Sequence, residues 1–151
     1  MIVDASLIID AVCDSGSRGA AARGALGEQP AAEALIAPGH FAFEIMSGLR
    51  VAANRPGHPF QDADISQALR DAESYEIMIE GTPWADVHRA WELAEQSLLY
   101  ADAVYVAAAE RHRTALLTAD SRIERSGASM RCRIITVSFT GEGAATGTPT
   151  T

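Results

Sequence analysis

Four carboxylates in this chain stand where an α/β protein gathers its chemistry. Asp4 follows the apolar pair Ile2-Val3, and Asp120 closes the run Leu116-Leu-Thr118-Ala-Asp120. Asp102 stands where a helical pattern opens, and Glu44 falls in the first turn or two of another, among Phe41, Phe43, Ile45 and Met46. Open α/β sheets bind ligands at the carboxyl ends of their strands. If these strand ends and helix starts meet, four acids share one cleft. Alone, such a cluster opposes folding, because like charges raise one another's pKa. A divalent cation reverses the sign of that argument. Ligation by oxygen alone points to Mg²⁺ or Mn²⁺, and the matching chemistry is phosphodiester hydrolysis. Taken singly, Asp102 and Asp120 are also explained as helix caps. Asp4 is harder to explain that way, since an acid ending an apolar strand is buried and needs partners.

The elements that must position these acids follow from local pattern. Ile2–Asp4 reads as a buried strand, after which Ser6 caps a helix through Cys13. Helical stretches are expected over 18–26, 41–54, with Phe41, Ile45, Leu49 and Ala52 on a core face, and 61–74, with Ile65 and Leu69 inward. Pro83 starts another helix carrying Trp84, Val87 and Trp91, and Asp102 opens the next. Strands are expected over 33–37, 76–79 at an edge, 115–118 and 133–137. Strands alternating with helices argue for a mostly parallel sheet in an α/β fold. Residues 140–151 are mostly Gly, Ala and Thr and read as a flexible tail beyond a domain over 1–139. Trp84 and Trp91, two turns apart, read as core or interface anchors. The four histidines, His40 among them, read as surface or loop residues, and Asp10, Asp62, Asp64, Asp71 and Asp86 as surface acids.

Composition narrows the classes. The chain has 151 residues, the size of one domain, and a formal net charge of −8. All 12 basic residues are Arg, and there is no Lys. That excludes a Walker A phosphate site, a kinase lysine and Schiff-base chemistry. The acidity excludes a globally basic nucleic-acid binder. Cys13 and Cys132 are far apart and form no metal-binding pair, which fits a reducing, cytoplasmic setting. No basic leader opens the sequence and no apolar run is long enough to cross a bilayer, so no membrane partner is expected.

The motifs now carry a resemblance. Met1-Ile-Val-Asp4-Ala-Ser6 resembles the opening of PIN-domain nucleases, and more narrowly of VapC-type toxins of toxin–antitoxin pairs. Pro38-Gly-His-Phe41-Ala-Phe-Glu44, Tyr100-Ala-Asp102-Ala-Val-Tyr105 and Thr118-Ala-Asp120-Ser-Arg122 are similar to the second, third and fourth family motifs, in family order and spacing. The resemblance implies a three-layer α/β/α sandwich. It implies a Mg²⁺- or Mn²⁺-dependent endoribonuclease, neutralised by a cognate antitoxin protein and homodimeric. Asp4, Glu44, Asp102 and Asp120 would form its catalytic and metal site. Ser6 and Thr118 would orient carboxylates or water, ordinary capping and strand-end bonding being the alternative. Ser47 stands where many relatives have Asn, and Ala101 displaces a Tyr from beside Asp102.

An acidic RNA enzyme still needs positive charge beside its cleft. Six of the 12 arginines fall between 111 and 133, where only Asp120 and Glu124 are acidic, so that stretch is locally +4. Arg122 is the first candidate for an RNA-phosphate contact, against a reading of these arginines as solvated or ion-paired. Three other functions fit an acidic cleft: a non-catalytic binding module, a DNA nuclease and a phosphatase. The absence of an Asp-x-Asp motif near the start (Asp4-Ala-Ser6 instead) argues against the last.

Overall fold

A computed structural model describes residues 1–139. Residues 140–151, expected as a tail, lie outside the described residues. Five short strands form one sheet: β1 (Ile2–Val3), β2 (Ile36–Pro38), β3 (Met78–Glu80), β4 (Leu116–Thr118) and β5 (Ile134–Thr136). Every pairing is parallel, in the order β3-β2-β1-β4-β5. The seven helices described are α1 (Ala5–Cys13), α2 (Ser17–Gly27), α3 (Phe41–Ala53), α4 (Ile65–Glu73), α5 (Trp84–Ala94), α6 (Tyr100–His112) and α7 (Ser121–Arg125). They flank the sheet as an α/β/α sandwich, α1 packing on α2, α3 and α4, and α5 on α6.

The strand order reverses direction at β1. Chain growth runs from β1 to β2 on one side, and β4 returns on the other. Such a switch point opens a crevice at the strands' carboxyl ends, between loops that leave in opposite directions. Asp4 follows β1 there, and Asp120 follows β4 two residues on. The register holds the two strands level, Ile2 opposite Leu116 and Val3 opposite Leu117.

Burial explains the apolar spacing. Phe41, Ile45, Leu49 and Ala52 of α3 are all buried, as their periodicity predicts. Helix α6 is buried nearly all round, and its Ala103, Ala107, Ala108 and Ala109 allow close approach to the sheet and α5. Gly48 does the same between α3 and α1: a Cβ there would lie 2.2 Å from Ile9 Cδ1.

Several local expectations shift. Asp4 takes the N-cap of α1, and Ser6 is its second residue. Leu99 takes the cap position of α6, so Asp102 is the third helical residue and caps nothing. Strand β2 starts at Ile36 because Glu33 closes a turn onto Pro30 and pairs with the N-terminal amine at 3.1 Å. The helix expected over 61–74 opens as a 3₁₀ turn at Asp62–Asp64, and Leu69 lies partly exposed. Trp84 and Trp91 are 78% and 55% exposed, which removes them from the core. Asp86 is buried, because Arg111 reaches it from α6. No helix among the described residues is long and apolar enough to cross a membrane.

Candidate active site

Asp4 is nearly fully buried at the end of β1. A buried carboxylate needs hydrogen bonds, and two hydroxyls supply them. Ser6 Oγ donates to Asp4 Oδ2 at 2.6 Å, and Thr118 Oγ1 donates to the same oxygen from β4. Ser6 N adds a contact to Oδ1 at 3.3 Å. Both hydroxyls also accept from the backbone after β4, Ser6 Oγ from Ala119 N and Thr118 Oγ1 from Asp120 N. Ser6 and Thr118 thus tie the ends of β1 and β4 together around one carboxylate. Capping and carboxylate orientation, the two readings of these residues, describe the same bonds.

Glu44 reaches the site from the first turn of α3. Its Oε2 accepts from the Tyr105 hydroxyl at 2.6 Å. Tyr105 is fully buried on α6, and burial first, then the charges of Asp4 and Glu44, push its phenol pKa strongly upward. It therefore stays a protonated donor. His40 stacks against the Tyr105 ring with centroids 4.7 Å apart, and its Nε2 lies 3.5 Å from Glu44 Oε2. Neither residue was singled out for the site from sequence. Tyr105 follows Asp102 by one helical turn, which places both on one face of α6. His40, expected as a surface or loop histidine, does lie in the turn before α3, one helical turn ahead of Glu44, and its ring is turned onto Tyr105.

Asp120 caps α7, accepting from Arg122 N at 2.8 Å, and the Arg122 side chain folds back onto its carboxylate, Nε at 2.9 Å from Oδ2. The Arg122 hydrogen bond holds Asp120 below the usual carboxylate range. Of the six arginines between 111 and 133, Arg122 alone lines the cleft. Arg111 is bound to Asp86 and Glu80, and Arg125 to Ser121.

Asp102 has no hydrogen-bond partner among the described residues. Burial, then the charges of Asp4 and Asp120, push its pKa up to about 6, with Glu44 adding to the rise and Arg122 opposing it. All four acids line one cleft of about 290 Å³, with Ser6, Ser47 and Arg122. Asp102 is half-buried among the charges of Asp4, Asp120 and Glu44, and a hard cation among carboxylate oxygens would offset that charge. The donor set fits such an ion. Among the described residues, however, no three acids close on a common ion position. Tyr105, Arg122 and the two hydroxyls hold three of the four carboxylates on other partners.

The PIN domain family model matches residues 1–128. Among solved structures, a toxin–antitoxin complex from Klebsiella pneumoniae superposes with a TM-score of 0.64 at 22% identity, covering 91% of this chain and 98% of that one. The sarcin-ricin loop cleaving toxin VapC20 of Mycobacterium tuberculosis superposes with a TM-score of 0.61 at 17% identity, covering 84% and 95%. These likenesses concern the fold. A search of the curated proteins returned no match.

Proposed function

This chain belongs to the PIN-domain family, and we propose that it is a metal-dependent endoribonuclease, the toxin of a toxin–antitoxin pair. The observation that carries the reading is the convergence of Asp4, Glu44, Asp102 and Asp120 on one cleft at the sheet's switch point. The likeness to a toxin that cleaves the sarcin-ricin loop and to a toxin–antitoxin complex supports the substrate class and the partner. A homodimer, and a site of action in the cytoplasm in keeping with two free thiols, complete the reading. We place the domain at 1–139.

Asp4, Asp102, Asp120 and Glu44 would hold Mg²⁺ or Mn²⁺. When bound, the ion supplies a water of lowered pKa and offsets charge on the phosphate. The chain's own groups set the geometry. Ser6 and Thr118 fix the Asp4 carboxylate, leaving its Oδ1 less engaged. Tyr105 holds Glu44 toward the cleft. Arg122 moves from Asp120 to an RNA phosphate, an exchange that frees a carboxylate while binding the substrate.

The test is cleavage of a structured RNA and of a matched DNA by the purified chain with Mg²⁺ or Mn²⁺, with and without EDTA. RNA cleavage that EDTA stops, and that Asp4→Asn and Asp102→Asn abolish, is the expected result. Full activity in both variants rejects the site. Cleavage of DNA alone rejects the substrate class, and metal binding without cleavage of either makes the domain a binding module.

A further inference from the structure

A strand of RNA is a polyanion, and the carboxylate cleft offers it a single guanidinium, that of Arg122. The arginine-rich stretch does not supply the rest. Arg111 and Arg113 stand at the end of α6, just before β4, and Arg131 and Arg133 stand just before β5. In an all-parallel sheet both places lie at the strands' amino ends, away from the cleft at their carboxyl ends. A trough of about 230 Å³ opens out of the cleft on another side, and Ser6 and Ile9 line both. Its walls are α1 from Ser6 to Asp14 and α3 from Gly48 to Arg55, just past its end. It therefore runs about 12 Å down the two helices.

The polar groups of the trough say what fits. Arg18 donates to Asp10 through Nε at 3.2 Å and a terminal nitrogen at 2.8 Å, and its guanidinium lies 4.9 Å from the centre of the Phe139 ring. Asp14 Oδ1 accepts from Gly16 N at 2.6 Å. Arg55 is exposed and has no hydrogen-bond or ion-pair partner among the described residues. His58 Nδ1 accepts from Phe60 N at 3.2 Å, so the neutral ring carries its proton on Nε2, which has no partner among them either. The two side chains left with hydrogen bonds to give are thus both donors, one of them a fixed positive charge. A phosphodiester, which only accepts, complements that pair, and the trough is continuous with the cleft where a phosphodiester reacts.

We propose that Arg55 and His58 hold a backbone phosphate of the RNA a few nucleotides from the scissile bond, so that the strand leaves the cleft along the trough between α1 and α3. The inference deepens the proposed function and rests on it for the identity of the strand. Contacts of this kind fix the register and direction of the strand and read no base. The remaining charge of Asp14 opposes the phosphate and sets a limit on its affinity.

The probe is a fluorescent single-stranded oligouridylate of about 12 nucleotides, titrated into the full chain in EDTA so that nothing is cut. Arg55→Gln should weaken binding about tenfold and lower the slope of log affinity against log salt by about 0.7. His58→Gln should weaken it about threefold. Asp14→Asn keeps the acceptor for Gly16 N while removing the opposing charge, and it should strengthen binding. Arg133→Gln, at the far end of the sheet, should change neither affinity nor slope. In RNA cleavage with Mg²⁺, the loss in Arg55→Gln should fall on KM, with kcat little changed. Wild-type affinity and slope in both Arg55→Gln and His58→Gln overturn the proposal, as does absence of binding by the wild type. An equal loss in Arg133→Gln also overturns it, since that means a diffuse charge effect. Neither Arg55 nor His58 lines the cleft. Cleavage that Asp4→Asn abolishes and Arg55→Gln leaves at its wild-type KM therefore removes the track and keeps the proposed function. Arg55-dependent binding without cleavage does the reverse.

Discussion

The Tyr105 hydroxyl donates to Glu44 Oε2 at 2.6 Å, across 61 residues of chain. It joins α6, which carries Asp102, to α3, and it gives an otherwise ill-placed acid a defined position. Tyr105→Phe leaves the packing intact and removes the donor. A buried hydrogen bond to a charged group contributes about 1.5–3 kcal/mol; since Glu44 is partly exposed, a loss of about 1–2 kcal/mol in urea unfolding is expected. RNA cleavage should fall with it. Unchanged cleavage would mean that the orientation of Glu44 is immaterial.

Arg122 sits between two roles of opposite sign. Arg122→Ala frees Asp120 from its guanidinium and lets its carboxyl return toward the ordinary range. Calorimetric Mn²⁺ affinity should rise while RNA affinity falls, and the slope of RNA binding against log salt should shrink by about one phosphate contact. RNA binding that is the same at every salt concentration removes Arg122 from the substrate path.

Asp102 makes metal-free stability depend on pH. Its folded pKa, about 6, is raised above the ordinary 3.8, so the folded state prefers the protonated acid. That contribution is fully present below the unfolded value and is lost as pH rises through the folded one. Thermal midpoints without metal, compared with those of Asp102→Asn, should therefore fall between about pH 4 and pH 6. Mg²⁺ or Mn²⁺ should restore them above pH 6. A difference between wild type and variant that stays flat with pH contradicts the shared-cleft electrostatics.

Asp86 and Arg111 carry a structural prediction well away from the cleft. Asp86 is buried and takes the Arg111 Nε at 2.9 Å, while Arg111 is partly exposed and also bound to Glu80. Removing the arginine strands a buried carboxylate; removing the aspartate leaves an arginine that still has a partner and water. Arg111→Ala should cost about 2–3 kcal/mol and Asp86→Ala about 1–2 kcal/mol. Metal affinity and RNA cleavage should not change in either. The reverse order in chemical denaturation would refute this account of the pair.

The α3 core face and the four acids at strand ends and helix starts were legible because each depends on neighbours within a turn or two, and the parallel sheet was legible through the alternation of strands with helices. An apolar pair followed by Asp4, or Thr118-Ala-Asp120 opening α7, carries its own local cause in burial, capping and strand termination. What the tertiary structure decided was pairing across distance. Tyr105 meets Glu44 only because the fold brings α6 to the start of α3, and Arg111 buries Asp86 only because α6 lies along α5. Trp84 and Trp91 follow a core-like spacing, yet the rotation of α5 on α6 turns them outward, since α5 buries Ala90 and Leu93 instead. Periodicity defines a face on a helix, but only packing against the rest of the molecule decides which face is buried and which charges meet.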